Sequence, residues 1–451
     1  MNDNRLKLSS LSLRGVFMWT GRILGLLLII ILSLVVMFGL MMFLPFWLAF
    51  IILVGATLGL IYSVWRKDQI FYTVAMVVTL GIFISIFLIP LSVPPLAPVS
   101  VEPEIITLSK GEEMAFFHVA PQEKVSDIPI VFVHGGPGGL TNEAPLKLMN
   151  DLASDLGRDV YTYDHYSAGR SSFDSADMSL VNIEEDVRRL NEIVDMVGTE
   201  PDGTLQATLI GHSYAGALIG RYLAWYPGAI DKFVALDTSP LYSLGTGNLK
   251  DRPIYNSELE PMLQAGKAKA DAEVSNINFL GLIRVIFQHM SLREILRGTF
   301  LIGPGFSEGS SFGKNSEASY FLEKAFFNII SGYGRYGKVP DEIIFQGVSF
   351  GAQAVNGSIA VSDDYSAELM SVETPPVLLI HPEAGDVLWA YHKDYENFYD
   401  SVDIVLIDDG THSSIYGDDS LPAQQTYKAI LSFLRDEPLE GVYTGFEDPF
   451  N

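Results

Sequence analysis

From Ile23 to Trp65 the chain carries no charged side chain. A helix rises 1.5 Å per residue, so as one helix this run would reach about 64 Å, roughly twice the hydrocarbon thickness of a bilayer. It must fold back on itself, and Pro45 marks the turn. Two spans are predicted, 22–43 and 46–65. Arg66, Lys67 and Asp68 follow, and a third apolar stretch runs from Ile70 to Leu91. A cleavable leader has an apolar core of only about 7–15 residues and does not need three such stretches. Arg5, Lys7, Arg14 and Arg22 precede the first span, and Arg66 and Lys67 separate the second from the third. Basic residues in short segments stay on the cytoplasmic side. The chain is therefore expected to be a multi-pass protein of the cell membrane, with everything after Leu91 outside the cytoplasm. Residues 23–65 and 70–91 hold no Asp, Glu, Lys, Arg or His, which suits an anchor in the lipid bilayer rather than a transporter. The N-terminal domains are then a cytoplasmic segment 1–21, a membrane domain 22–92 and a Pro-rich linker 93–103, stiffened by Pro94, Pro95, Pro98 and Pro103.

Residues beyond 100 have a different composition. They hold 23 Lys and Arg against 52 Asp and Glu. Nucleic-acid binding needs a basic surface, so no nucleic-acid partner is expected. The chain has no Cys, which excludes disulfides and thiolate metal sites.

The order of elements in this region alternates. Ile105–Leu108 and Met114–Val119 flank a turn at 109–112 and read as a hairpin. Apolar strands are predicted at 128–133, 159–163, 208–212, 232–236, 376–381 and 402–407. Helical spacing appears at 183–197, 217–226 and 421–434. Such alternation predicts an α/β fold, a mostly parallel sheet with helices on both faces. Residues 240–370 break the rhythm with helical segments at 260–275, 279–297 and 318–330, and read as an inserted helical cap. The core is thus expected in two parts, 104–239 and 371–451.

One stretch organises the chemistry. Thr208-Leu209-Ile210 leads into Gly211-His212-Ser213-Tyr214-Ala215, and a helical pattern follows. Strand, tight turn and helix in that order make a nucleophile elbow, with small residues around a strained Ser. A second glycine-rich turn, His134-Gly135-Gly136-Pro137-Gly138, ends the strand 128–133. It lacks the spacing and the Lys-Ser/Thr of phosphate-binding loops, so no nucleotide cofactor is expected. His134 and His212 have no third ligand at a suitable spacing, and no metal is expected.

These two motifs and the order of elements over roughly residues 104–435 resemble the α/β-hydrolase fold and, within it, the proline iminopeptidase family of serine aminopeptidases. Asp164-His165-Tyr166-Ser167 stands where that family usually has Asp-Gln-Arg-Gly. The resemblance implies a Ser, acid and His in that chain order. Ser213 is the expected nucleophile. His412 follows the last strand and is the expected base, with His381 and His392 the other His of this region. Asp386 is the expected acid, ahead of Glu383, with Asp237 a third choice. The oxyanion hole is expected from the N–H groups of Tyr214, the residue after the nucleophile, and, by resemblance, of Gly136. The resemblance implies an aminopeptidase acting on small peptides. An ester or lipid hydrolase with the same triad and a catalytically silent binding domain are the alternatives. Carboxylates of the cap, among them Glu258, Glu260, Asp271, Glu273, Glu317 and Glu323, are expected to supply a partner for a substrate ammonium.

Overall fold

The computed structural model describes residues 13–40, 46–198, 206–241, 279–302, 314–330, 345–350 and 365–450, together with Pro261, Met262, Gln264 and Ala352. The chain divides into two compact units, residues 1–92 with 290–317, and residues 93–289 with 318–451.

The first unit holds α1 (Leu13–Leu40), α2 (Phe46–Trp65) and α3 (Gln69–Phe87). All three are long and apolar enough to cross a membrane. The predicted turn at Pro45 lies outside the described residues. α1 already includes residues 13–21, so the basic flank at Arg14 and Arg22 is helical. Arg22 is then inside α1, where its guanidinium pairs with Asp68. Asp68 also caps α3 by accepting from Phe71 N–H at 3.2 Å. α3 ends at Phe87 rather than Leu91, shortly before Pro90, which disfavours helical backbone in the residue preceding it.

The carbonyls freed at the end of α3 find partners in the helix Leu292–Ile302, which belongs to the same unit. Arg293 donates to Ser85, Ile89 and Pro90. Arg297, wholly buried, donates to the Phe87 carbonyl at 2.5 Å and pairs with buried Glu317 at 2.8 and 2.9 Å. Glu317 in turn accepts from Leu91 N–H at 2.7 Å. The insert thus supplies a polar clamp for this helix end, which the division into membrane domain and cap did not anticipate. The predicted helix 279–297 is two helices, Phe279–His289 and Leu292–Ile302. Ser291 and Glu294 form a capping box: Ser291 Oγ accepts from Glu294 N–H at 3.2 Å, and Glu294 accepts from Ser291 N–H at 2.7 Å.

The second unit is built on an eight-stranded sheet. The strands are β1 (Glu104–Thr107), β2 (Glu113–Val119), β3 (Ile130–Val133), β4 (Val160–Tyr163), β5 (Ala207–His212), β6 (Ile230–Leu236), β7 (Val377–Ala384) and β8 (Val402–Thr411). Their order is β1-β2-β4-β3-β5-β6-β7-β8. β1 and β2 form the expected hairpin, with Ile105 opposite Ala115, and β2 joins β4 antiparallel. All other pairs are parallel. β5 is central and buried along its whole length, which is why it reads as a continuous apolar run.

Helices cover both faces. α4 (Glu143–Leu156) and the last helix, Leu421–Leu434, pack Leu146, Met149, Leu152, Ile430 and Phe433 against Phe132, Ile210 and Val234. α5 (Ile183–Val197) and α6 (Ala215–Trp225) pack Val187, Leu190, Leu218 and Tyr222 against the alternate residues Val131, Leu209 and Phe233. Each such side chain, fully buried, contributes about 1.5–3 kcal/mol. The parallel strands end together at one edge of the sheet, and this gathers residues far apart in sequence.

Candidate active site

Ser213 stands between β5 and α6 with φ 55°, a left-handed conformation that a non-glycine residue adopts only where its surroundings hold it. Those surroundings are backbone bonds. Ser213 N–H donates to Leu236 O at 3.1 Å, and its carbonyl accepts from Gly216 at 3.0 Å and Ser239 at 2.8 Å. The small residues are needed: a Cβ on Gly211 would come within 2.6 Å of the Ile219 side chain.

The loop after β3 lies against the Ser. A Cβ on Gly135 would sit 2.7 Å from Ser213 Cβ. Gly136 has φ 132°, and a Cβ there would meet the backbone N atoms of Gly138 and Gly139 at 2.7 Å, so only glycine fits. Buried side chains brace this loop from behind. Asp164 accepts from Thr141 N–H at 2.6 Å and Arg170 N–H at 2.8 Å. His134 Nε2–H points at the hydroxyls of Thr141 and Thr162, at 2.9 and 3.0 Å. Burial holds His134 well below the usual imidazole value, so it is a neutral donor. Neither Gly136 N–H nor Tyr214 N–H donates a hydrogen bond among the described residues. Both expected oxyanion donors are thus uncommitted.

His412 directly follows β8. Its Nδ1 lies 2.5 Å from Oδ2 of Asp237, and its carbonyl accepts from His212 Nε2–H at 2.8 Å. The rings of His212 and His412 are 4.4 Å apart, so the expected base stands beside the residue that precedes Ser213. Burial drives His212 down to about 3, and as a neutral ring it donates from Nε2 and accepts from Tyr416 at Nδ1, 3.3 Å away.

The carboxylate on His412 is therefore that of Asp237, the third choice of the sequence reading, and not that of Asp386. Asp237 follows β6, is fully buried and has φ 42°. Its N–H donates to Ile380 O of β7 at 3.1 Å. Asp386 reaches the pair through its backbone: its N–H donates to the same Asp237 Oδ2 at 3.0 Å. A Cβ on Gly385 would be 2.8 Å from both Asp237 oxygens, so this loop closes over the carboxylate. The physical reason is adjacency. β6 and β7 pair in parallel register, so the residue after either strand can arrive at the same place. Glu383 is engaged elsewhere, accepting from Asp409 N–H at 2.9 Å. Burial pushes the Asp237 carboxyl up, but the His412 hydrogen bond and neighbouring positive edges outweigh it and leave it below the usual carboxylate value. The signal in sequence was an apolar strand ending in Leu236-Asp237-Thr238, at the sheet edge where Ser213 also sits.

Other expectations resolve differently. Asp237, His381 and His392 bring one ligand atom each within 4.8 Å of one another, close enough to raise the question of a metal. His381 Nδ1 and His392 Nδ1 are 2.7 Å apart, the separation of a hydrogen bond between the two rings. Of the cap carboxylates, Glu317 is spent on Arg297. Glu323 accepts three backbone N–H groups, from Gln346, Gly347 and Val348. Glu258, Glu260, Asp271 and Glu273 lie outside the described residues.

A family model for the alpha/beta hydrolase fold matches residues 128–272. With the strand order above, this shows an α/β-hydrolase fold. Similar solved structures include a proline iminopeptidase from Mycobacterium smegmatis, at 16% identity and TM-score 0.42, covering 74% of this chain and 98% of that one. Another is a bromoperoxidase from Bacillus anthracis, at 18% identity and TM-score 0.42, covering 72% and 96%. A third is an α/β-hydrolase fold protein from Chitinophaga pinensis, at 16% identity and TM-score 0.41, covering 74% and 98%. Among curated proteins no match was found.

Proposed function

We propose that this α/β-hydrolase is a serine hydrolase with Ser213 as nucleophile, His412 as base and Asp237 as acid. The observation that carries the reading is the 2.5 Å bond between His412 Nδ1 and a buried carboxylate, beside a strained Ser. Asp237 holds the proton on Nδ1, which makes Nε2 the basic nitrogen that takes the Ser213 proton. Ser213 Oγ then bonds to the substrate carbonyl carbon. The N–H groups of Gly136 and Tyr214 receive the resulting oxyanion. His412 returns the proton to the leaving group, and water, deprotonated by the same base, releases the acyl group from Ser213.

The specific reaction we infer is removal of an amino-terminal residue from a small peptide. It is supported by the pairing of His134–Gly138 with Gly211–Ala215. An acyl ester is the alternative substrate. The anchor reading is supported by three helices of spanning length, and the basic flanks support a catalytic domain outside the cytoplasm.

A fluorophosphonate probe is expected to label the wild type and not Ser213→Ala, whose turnover falls by on the order of 10⁶. A labelled Ser213→Ala protein would end the triad reading. Aminoacyl anilides are expected to react faster than their N-acetyl forms and than short acyl esters. Equal rates for blocked and free forms, or reaction of the ester alone, would replace the peptidase with an esterase.

A further inference from the structure

Two further imidazoles stand behind Asp237. His392 lies on the short helix Trp389–Lys393 with no exposed surface, and His381 lies on β7. Their Nδ1 atoms are 2.7 Å apart. His392 Nε2 is 3.0 Å from the Thr238 carbonyl and 3.6 Å from Asp237 Oδ1. A carbonyl only accepts, so His392 keeps its proton on Nε2. A neutral ring protonated there presents a bare lone pair at Nδ1. His381 must therefore hold its own proton on Nδ1 and donate it to His392. Burial favours this neutral pair, lowering His392 and driving His381 down to about 3.

The two oxygens of Asp237 are unequally served. Oδ2 receives both His412 Nδ1–H and Asp386 N–H. Oδ1 is buried and accepts no hydrogen bond among the described residues, although a buried acceptor without a donor is costly. His392 Nε2–H stands in front of it, bonded to the neighbouring carbonyl but close enough to bias the carboxylate. Among the described residues, the other titratable groups that act on this cluster are Asp237 and His412, with the Tyr395 hydroxyl on Thr238 Oγ1 at 2.7 Å.

We propose that His392 is a positioning residue for Asp237: its Nε2–H holds the Oδ1 side so that Oδ2 faces His412, and His381 fixes the tautomer that makes this possible. The inference rests on the triad reading above. It is tested on the full-length protein in detergent. His392→Phe fills the space without a donor, whereas His392→Gln keeps an N–H near the Nε2 position. His392→Phe is expected to lose up to about tenfold in kcat, less than a direct hydrogen bond to a charged group would cost, with KM near wild type. The acid limb of its kcat/KM profile moves to higher pH, because the Asp237 charge then acts undiminished on His412. His392→Gln restores both. The low-field proton resonance of the His412–Asp237 bond reads the same geometry without turnover. It is expected to persist in His392→Gln and to move or broaden in His392→Phe.

Should His392→Phe not fold, His381→Leu against His381→Asn makes the same comparison one ring further out, since Asn keeps a donor and Leu does not. A folded His392→Phe with wild-type kcat, acid limb and low-field resonance would overturn the inference. Equal losses in His392→Gln and His392→Phe would overturn it too, by reducing His392 to packing. If the wild type itself fails to take up fluorophosphonate, the triad reading falls, and the resonance comparison still decides whether His392 positions Asp237.

Discussion

Asp237→Asn keeps the shape of the acid but can present an N–H to His412 Nδ1, which favours the wrong imidazole tautomer. In a Ser-His-Asp arrangement this lowers turnover by on the order of 10⁴. Asp386→Asn keeps the backbone N–H that Asp386 gives to Asp237, and turnover is expected to stay close to wild type. Steady-state kinetics of the two purified variants checks this, and a larger loss in Asp386→Asn would return the acid to the loop after β7. The positions of Ser213 and His412 were legible in sequence because each is announced locally, one by an elbow of small residues and the other by its place after the last strand. The acid was not, because two neighbouring strand ends reach one point in space, and only packing decides which carboxylate turns inward.

At the scale of elements, the segment around Gly347 is tied on both sides. Glu323 accepts its N–H groups at 2.6 to 2.7 Å. Ser349 N–H donates to Gly138 O at 3.0 Å, and Gly347 O accepts from Gly169 N–H at 2.9 Å. The segment therefore touches the glycine loop beside Ser213. Burial pushes the Glu323 carboxyl up from 4.5 to about 7, against three opposing N–H bonds. A group whose folded pKa is raised contributes stability below its unfolded value and loses it as pH rises through the folded one. Protection of the Gln346–Ser349 amides against hydrogen exchange, corrected for the intrinsic rate, should thus fall between pH 4.5 and about 7. The fall corresponds to at most roughly 3 kcal/mol, and it should be absent in Glu323→Gln. A wild type and variant with parallel pH profiles would contradict it. The break at Met290 was written in sequence as Ser291-x-x-Glu294, and apolar periodicity running through it concealed the cap.

For the molecule as a whole, the expectation to test is the orientation set by the basic flanks. The chain has no Cys, so single Cys substitutions need no altered background. Lys67 and Glu123 are both exposed, one between α2 and α3 and the other in the sheet unit. A membrane-impermeant maleimide applied to intact cells, or to spheroplasts where an outer membrane is present, is expected to label Glu123→Cys. It should label Lys67→Cys only after the membrane is opened. The reverse pattern would place the catalytic domain in the cytoplasm.

Readable from the residues alone were the three apolar helices, the alternating α/β order, the elbow around Ser213 and the place of His412 after the last strand. Each rests on a local property: length without charge, a period of side chains, or small residues at a strained turn. Tertiary structure decided what depends on neighbours remote in the chain. The partner of His412 is 175 residues away and was selected by the parallel register of β6 and β7. The donors at the end of α3 come from residues 293 and 297, because carbonyls freed by a helix end accept whichever cation the fold brings to them. Glu317 and Glu323, expected as partners for a substrate ammonium, are held by buried donors, since a carboxylate removed from water must be paired.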